Sequence, residues 1–203
     1  MTETTTLYYF HDPMCSWCYG FAPTWQQLGE LLPASITVQY VAGGLAADSD
    51  APMPAEMATH LQGIWRQIEQ TCDVSFNHQF WQHCQPRRST YPACRAVIAA
   101  GNKQKEMIAA IQNAYYQQAQ NPSDRDTLTA CAATIGLAPT TFLTTLQAEA
   151  TEQELQRQLK FTRQCFVNGF PALRLQHQSA LYEIPVRYGA AAAMAQDITN
   201  AIL

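Results

Sequence analysis

Charge is scarce in this sequence. Asp, Glu, Lys and Arg together make up 14% of its 203 residues, and lysine occurs only at Lys103, Lys105 and Lys160. The net charge is −4, so no basic stripe is available to neutralise a phosphate backbone, and nucleic acid is set aside as a partner. No apolar run approaches the ~20 residues that span a bilayer. The first residues, "MTETTTLYYF", carry neither the basic start nor the apolar stretch of a signal peptide. A cytoplasmic setting without membrane contact is therefore expected. Internal repeats and low-complexity linkers are missing too. That leaves one generous domain, or a small domain carrying a large insertion.

Apolar residues supply 47% of the chain, enough to bury a sizeable core. The cysteine count is seven. An odd number in a reducing compartment argues against a structural disulfide framework. Cys72, Cys84, Cys94, Cys131 and Cys165 stand alone, mostly in helical sequence, and read as small buried hydrophobes. Cys15 and Cys18 are different. They lie two residues apart in "DPMCSWCYG", directly after the strand-like run "LYYFH".

Around them the chain alternates. "LYYFH" (7–11) reads as a strand. "SWCYGFAPTWQQLGELL" (16–32) reads as a helix on the spacing of Trp17, Phe21, Trp25, Leu28 and Leu32, with Pro23 expected to kink it. "ITVQYVAGG" (36–44) is a second strand, giving a βαβ unit with parallel, right-handed pairing. From Asp48 the composition changes: "DSDAPMPAEM" reads as a loop, and from 53 to about 167 the pattern is helical, punctuated at 84–92, 100–104, 120–124 and 136–139. Ser123 and Thr151 are the expected helix caps there. β signals return at "FPALRLQ" (170–176) and "SALYEI" (179–184), and the tail from Pro185 reads as a final amphipathic helix. Each β-rich end is too small to cover its own faces. A single α/β sheet built from both ends solves that problem, with residues 1–47 and 168–203 forming one domain and 48–167 inserted as an all-helical one.

A thiolate carries out disulfide exchange, so a redox cysteine needs something that favours its anion. The N-terminus of the helix starting near Ser16 supplies that for Cys15 through unpaired first-turn amides and the helix dipole. The spacer places Cys18 one turn further in, where it can attack a mixed disulfide formed at Cys15. A zinc site uses the same spacing but needs a second pair or a His/Cys partner motif. His78, His83, Cys84 and Cys94 form no such spacing, so no metal is expected. A C-x-x-C opening the helix of a βαβ unit is the redox setting.

"FHDPMCSWCYGFAP", followed about 150 residues later by "VNGFPALRL", resembles the DsbA-like branch of the thioredoxin superfamily. Within that branch the chain is similar to the group described as cytoplasmic protein-disulfide isomerases. The likeness covers the whole chain and implies a thioredoxin-like fold interrupted by an all-helical insertion. It implies that Cys15 is the nucleophile and Cys18 the resolving thiol. It also implies a cis-proline at Pro171, with the Phe170 backbone presenting an extended substrate beside Cys15. Ser16 and Trp17 would join Phe170 and Pro171 in contacting substrate. The better-known oxidases of this branch often place a histidine between the cysteines, whereas Ser16 and Trp17 bring no charge, so a less oxidising couple is expected.

The expected activity is thiol–disulfide oxidoreduction or isomerisation of protein or small-molecule disulfides. No bound cofactor is expected, and glutathione or a thioredoxin-type system would act as redox partner. The same fold also hosts glutathione-dependent kappa-class transferases and hydroxychromene carboxylate isomerases, but these generally carry a serine near the strand-to-helix turn and lack the cysteine pair. A redox-sensing interaction module is a third reading. His11 is expected to be satisfied by backbone at its strand end. Asp12 would oppose a thiolate. In the insertion, Trp65, Phe76, Phe80, Trp81, Tyr91, Tyr115 and Tyr116 read as core at helical spacing rather than as a groove. "PRRS" (86–89) reads as a solvated loop, with anion binding as its alternative.

Overall fold

The computed structural model describes residues 5–202. Four strands, β1 (Thr5–His11), β2 (Ile36–Ala42), β3 (Ala172–His177) and β4 (Ala180–Ile184), form one sheet in the order β2-β1-β3-β4. β1 and β2 are parallel, with Leu7 opposite Val38. β3 runs antiparallel to both β1 and β4. The first βαβ unit and the last β-hairpin thus share one sheet although most of the chain separates them. The reason is burial. β1 turns Leu7 and Tyr9 to one face and Tyr8 and Phe10 to the other, and both faces need cover.

On the first face lie α1 (Ser16–Leu31) and α9 (Ala191–Ala201), which bring Phe21, Trp25, Leu28, Met194 and Ile198 onto Leu7, Leu173 and Leu175. α1 continues through Pro23 as one helix. α9 starts only at Ala191, later than the sequence pattern from Pro185 implied. Residues 185–190 instead form a loop whose Tyr188 and Gly189 dock on α1, through Tyr188 O–H to Trp17 O and Gly189 N–H to Thr24 Oγ1.

The remaining helices are α2 (Ala55–Thr71), α3 (Phe80–His83), α4 (Tyr91–Ala99), α5 (Gln104–Tyr116), α6 (Arg125–Thr134), α7 (Pro139–Leu146) and α8 (Glu149–Gln164). α2 to α7 surround a core of Trp65, Ile68, Phe80, Met107, Ile111, Tyr116 and Leu128. α8 falls inside the helical stretch of the sequence but lies on the second face of the sheet, where Phe161 meets Tyr8 and Phe10. The Gln158 side-chain carbonyl accepts the Ala42 N–H at 2.7 Å, so α8 also finishes the end of β2.

Neither expected cap is one. Asp124 and Ala148 occupy the cap positions of α6 and α8. The Ser123 hydroxyl donates to Ser89 O, and the Thr151 hydroxyl donates to Thr145 O. Carbonyls of other segments compete for these hydroxyls, and each bond ties two segments together rather than ending a helix. Among the described residues no helix is long and apolar enough to cross a membrane.

Candidate active site

β1 ends at His11, and the chain turns through Asp12, Pro13 and Met14 into Cys15, the N-cap residue of α1. Cys15 N–H donates to Asp12 O and Tyr19 N–H donates to Cys15 O, which closes the first helical turn. The cysteine pair therefore sits where strand gives way to helix, with unpaired amides at the helix start. Cys15 and Cys18 come within 3.6 Å of each other, and both are free thiols. They are not equivalent. Cys15 lines an open pocket of about 330 Å³, whereas Cys18 is 0% exposed. Burial pushes the Cys18 thiol well up from its ordinary value, and its hydrogen bond to Cys15 pushes the same way. Cys18 is the partner that keeps its proton.

The Phe170–Pro171 bond is cis, and its loop stands against the start of α1. The Cys15 thiol donates to Phe170 O at 3.5 Å. A glycine makes room for this loop, and its neighbour makes room for α4 and α8. A Cβ on Gly43 would lie 2.0 Å from the Phe170 ring, and Gly44, at φ +65°, would meet Leu159 and Tyr91. Gly43 is thus the seat of Phe170.

Of the other two expected contact residues, Trp17 lines the pocket and packs edge-on against Tyr188. Ser16 also reaches the pocket, but its hydroxyl already accepts Trp65 Nε1–H at 3.1 Å. Tyr116 donates to Met14 O at 2.8 Å. The helical block therefore fixes the turn that carries Cys15. Sequence reasoning gave these two aromatics a core role only, because side-chain spacing carries no sign of a polar tip reaching another segment.

Asp12 is 0% exposed and acts as a hub. Its carboxylate accepts Met14 N–H and Leu45 N–H, both at 2.8 Å, and the Thr90 hydroxyl at 2.6 Å. Cys94 Sγ lies 3.7 Å away. Burial raises the Asp12 carboxyl from its usual range, against the pull of these donors. One side chain thus joins the dithiol turn, the loop after β2 and the start of α4.

His11 corrects the sequence reading. Both of its ring nitrogens are buried and unpartnered among the described residues. Its own carbonyl is taken by Gly43 N–H, while the ring packs among Tyr9 and Tyr40. Burial alone holds its pKa down at about 3, so it stays neutral and gives the dithiol no cation.

The far pocket wall is soft and partly cationic: Met14, Met53 and Met57 face Arg87, Arg88 and His60. The "PRRS" segment is more than a solvated loop. Arg87 pairs with Asp124, and Ser89 and Thr90 are buried, because this segment is pinned to the loop after β2 through Ser49 N–H to Ser89 Oγ. Of the insertion aromatics, Trp65, Phe76, Phe80, Tyr115 and Tyr116 are buried core, and only Tyr115 also touches the pocket. Cys94, Cys131 and Cys165 are buried as expected, whereas Cys72 and Cys84 are half-buried. No cluster of three or more His, Cys, Asp or Glu fit to hold a metal occurs among the described residues.

A family model, the DSBA-like thioredoxin domain, matches residues 6–188. The chain belongs to that family. The DsbA-like family is one of thiol–disulfide oxidoreductases, and the chain has its thioredoxin fold with a helical insertion. Among solved structures, a Nitrosomonas europaea protein assigned as a protein disulfide isomerase is 27% identical, with a TM-score of 0.87 over 98% of this chain and 97% of that one. The cytosolic disulfide reductase DsbM of Pseudomonas aeruginosa is 21% identical, with a TM-score of 0.82 over 97% and 98%. A second DsbM structure, with GSH, aligns at a TM-score of 0.79 over the same shares. No curated protein sequence matches.

Proposed function

We infer that this DsbA-like chain is a cytoplasmic thiol–disulfide oxidoreductase that reduces or isomerises disulfides through Cys15 and Cys18. The observation carrying this is the asymmetry of the pair: one thiol at a helix N-cap in an open pocket, the other sealed behind it with its proton held. Cys15 attacks a substrate disulfide and takes one half as a mixed disulfide, releasing the first thiol. Cys18 then attacks Cys15 Sγ and releases the second. Phe170 and Pro171 present the substrate beside Cys15, with Trp17 and Ser16 on the other side of the opening.

Several features support a reducing rather than oxidising role. Ser16 and Trp17 bring no charge to the thiolate, His11 is neutral, and Asp12 lies buried beneath the turn. DsbM, which shares the fold, is a cytosolic reductase and has been seen with GSH. Glutathione is the redox partner or substrate half in this reading, with Arg88 on the pocket wall as the group to meet a carboxylate. A thioredoxin-type system is the other candidate for restoring the dithiol. The chemistry needs no resident cofactor.

The test is the reduction potential of the pair in graded glutathione buffers, with thiols trapped by alkylation. A potential near or below about −230 mV is expected, the range of glutaredoxin and thioredoxin. Cys15→Ser should abolish turnover, and Cys18→Ser should accumulate a mixed disulfide at Cys15. Absence of any reversible Cys15–Cys18 disulfide would end this reading.

A further inference from the structure

The pocket at Cys15 has a lining that dithiol chemistry alone does not require. One end belongs to the sheet-bearing part of the chain, where Cys15, Trp17 and Phe170 stand. The other belongs to the helical block, which supplies Tyr115 from α5 and Arg88 from the turn before α4. Between them run apolar side chains, chiefly Met14, Met53, Met57, Leu61 and Ile64. Thioethers are unbranched and soft, so such a wall moulds itself to a flexible apolar chain.

Polar groups in the pocket are few, and most are already engaged. The Ser16 hydroxyl accepts Trp65 Nε1–H, the Thr90 hydroxyl donates to Asp12, and Arg87 pairs with Asp124. Tyr115 and Arg88 are left. Tyr115 is 5% exposed and lines the pocket, yet its hydroxyl meets no hydrogen-bond partner among the described residues. Unlike the His11 nitrogens, this oxygen is not shut off from solvent, so it opens on the pocket. A group so placed is satisfied by water or by a ligand. Arg88 is exposed, and its guanidinium meets only Met57 Sδ, at 3.4 Å, with no carboxylate beside it among the described residues. No Asp or Glu among them lines the pocket, while His60 does. The pocket is thus apolar along its length, with an unbalanced cation and a free hydroxyl on the helical-block side.

We propose that this pocket selects disulfides of ω-mercapto carboxylic acids: a sulfur at Cys15, an unbranched apolar arm along Met14, Met57 and Ile64, and an acid end held by the Arg88 guanidinium and the Tyr115 hydroxyl. The proposal rests on the reading of Cys15 and Cys18 as the reacting pair, and it names the substrate half held beside them. The Cys15 thiolate attacks the sulfur of the seated arm and the substrate S–S bond breaks. The other half leaves and takes up, through solvent, the proton that Cys15 lost. Cys18 then bonds to Cys15 Sγ, the bond from Cys15 to the arm breaks, and the arm leaves as a thiol carrying a proton equivalent to the one Cys18 gives up. The two cysteines lose two electrons and the substrate disulfide gains two. Two glutathione thiols, becoming one glutathione disulfide, return those electrons to the pair. Glutathione is a poor tenant of the pocket itself. Its arm brings two peptide units, an ammonium and two carboxylates, which are costly to bury unpaired, and no acid lines the pocket to meet the ammonium.

The experiment mixes reduced full-length protein with dithiodipropionate, dithiodibutyrate, dithiodihexanoate, oxidised glutathione or hydroxyethyl disulfide. Samples are quenched in acid and alkylated, and the Cys15–Cys18 disulfide is counted by mass. Each second-order rate constant is divided by that of dithiothreitol with the same disulfide, which removes the leaving thiol's own reactivity. For the wild type this ratio should rise about threefold per added methylene along the three acids. It should be on the order of tenfold higher for dithiodihexanoate than for oxidised glutathione. Arg88→Gln and Tyr115→Phe should each lower the selectivity for dithiodihexanoate over hydroxyethyl disulfide on the order of tenfold, as loss of a hydrogen bond to a charged group does. With the bis-amide of dithiodihexanoate, Tyr115→Phe should still lower that selectivity and Arg88→Gln should not. A flat chain-length series, a higher ratio for oxidised glutathione, or losses shared equally by both substrates would overturn the pocket assignment and leave the dithiol reading standing. The series needs no variant, so it decides even where a substitution unfolds the protein. If no disulfide oxidises the pair, both fall together.

Discussion

Both ring nitrogens of His11 are buried without partners, and this has a thermodynamic consequence at the scale of one residue. The folded protein keeps the ring neutral down to about pH 3, whereas an unfolded chain protonates histidine below about pH 6.5. Between those values the unfolded state binds more protons, so stability falls as pH falls, by up to about 1.4 kcal/mol per unit. His11→Phe removes both the titration and the unsatisfied nitrogens. It should stabilise the protein by about 1–3 kcal/mol at neutral pH. The gap in Tm should then widen as the pH is lowered from 6.5 towards 4. A variant no more stable than wild type, with the same acid slope, would show that His11 finds a partner in solution. The sequence placed this residue correctly at the end of a strand and missed its isolation. Only the fold shows that Gly43 takes the backbone carbonyl while the ring enters an aromatic pocket.

At the scale of elements, the cis-proline loop and Gly43 after β2 work as one unit across more than a hundred residues of intervening chain. A Cβ at position 43 would collide with the Phe170 ring, and Phe170 both accepts the Cys15 thiol and lines the pocket that Cys15 lines. Gly43→Ala should therefore cost about 1–3 kcal/mol of stability through overpacking and raise KM for a disulfide substrate. Adding Phe170→Ala should restore the stability, because the two changes remove the same clash. Additive losses in the double variant would mean that the ring has another place to go. Glycines following a strand are plain in the sequence. Their meaning is not, because it depends on a side chain brought in by β3.

At the scale of the whole molecule, the sheet and the helical block are stitched rather than tethered. Trp65 holds Ser16, Tyr116 holds Met14, and Asp12 joins Thr90 and Leu45. α8 lies on the sheet while Leu155 and Leu159 pack with Cys94 of α4. Such cross-links predict one cooperative transition. Trp25 on the sheet side and Trp65 in the helical block, each read in a variant lacking the other tryptophans, should report coincident unfolding. Leu155→Ala, at a position 0% exposed, should cost about 3 kcal/mol and move both signals together. Two separated transitions would mean that the inserted helices fold on their own. The sequence divided the chain at 48 and 167, where composition changes. Packing sends α8 to the sheet because the face carrying Tyr8 and Phe10 would otherwise lie open.

The sequence by itself determined the thioredoxin-like class, the order of strands and helices, and the two motifs that mark the family. Those features are local: a period of side chains, a C-x-x-C at a strand–helix junction, a proline before a strand. Tertiary structure decided what each group faces. It sealed Cys18 while leaving Cys15 in a pocket, left His11 without a partner and made Asp12 a hub for three segments. Burial and hydrogen-bond partners are properties of segments distant in the chain, and no spacing along one segment encodes them.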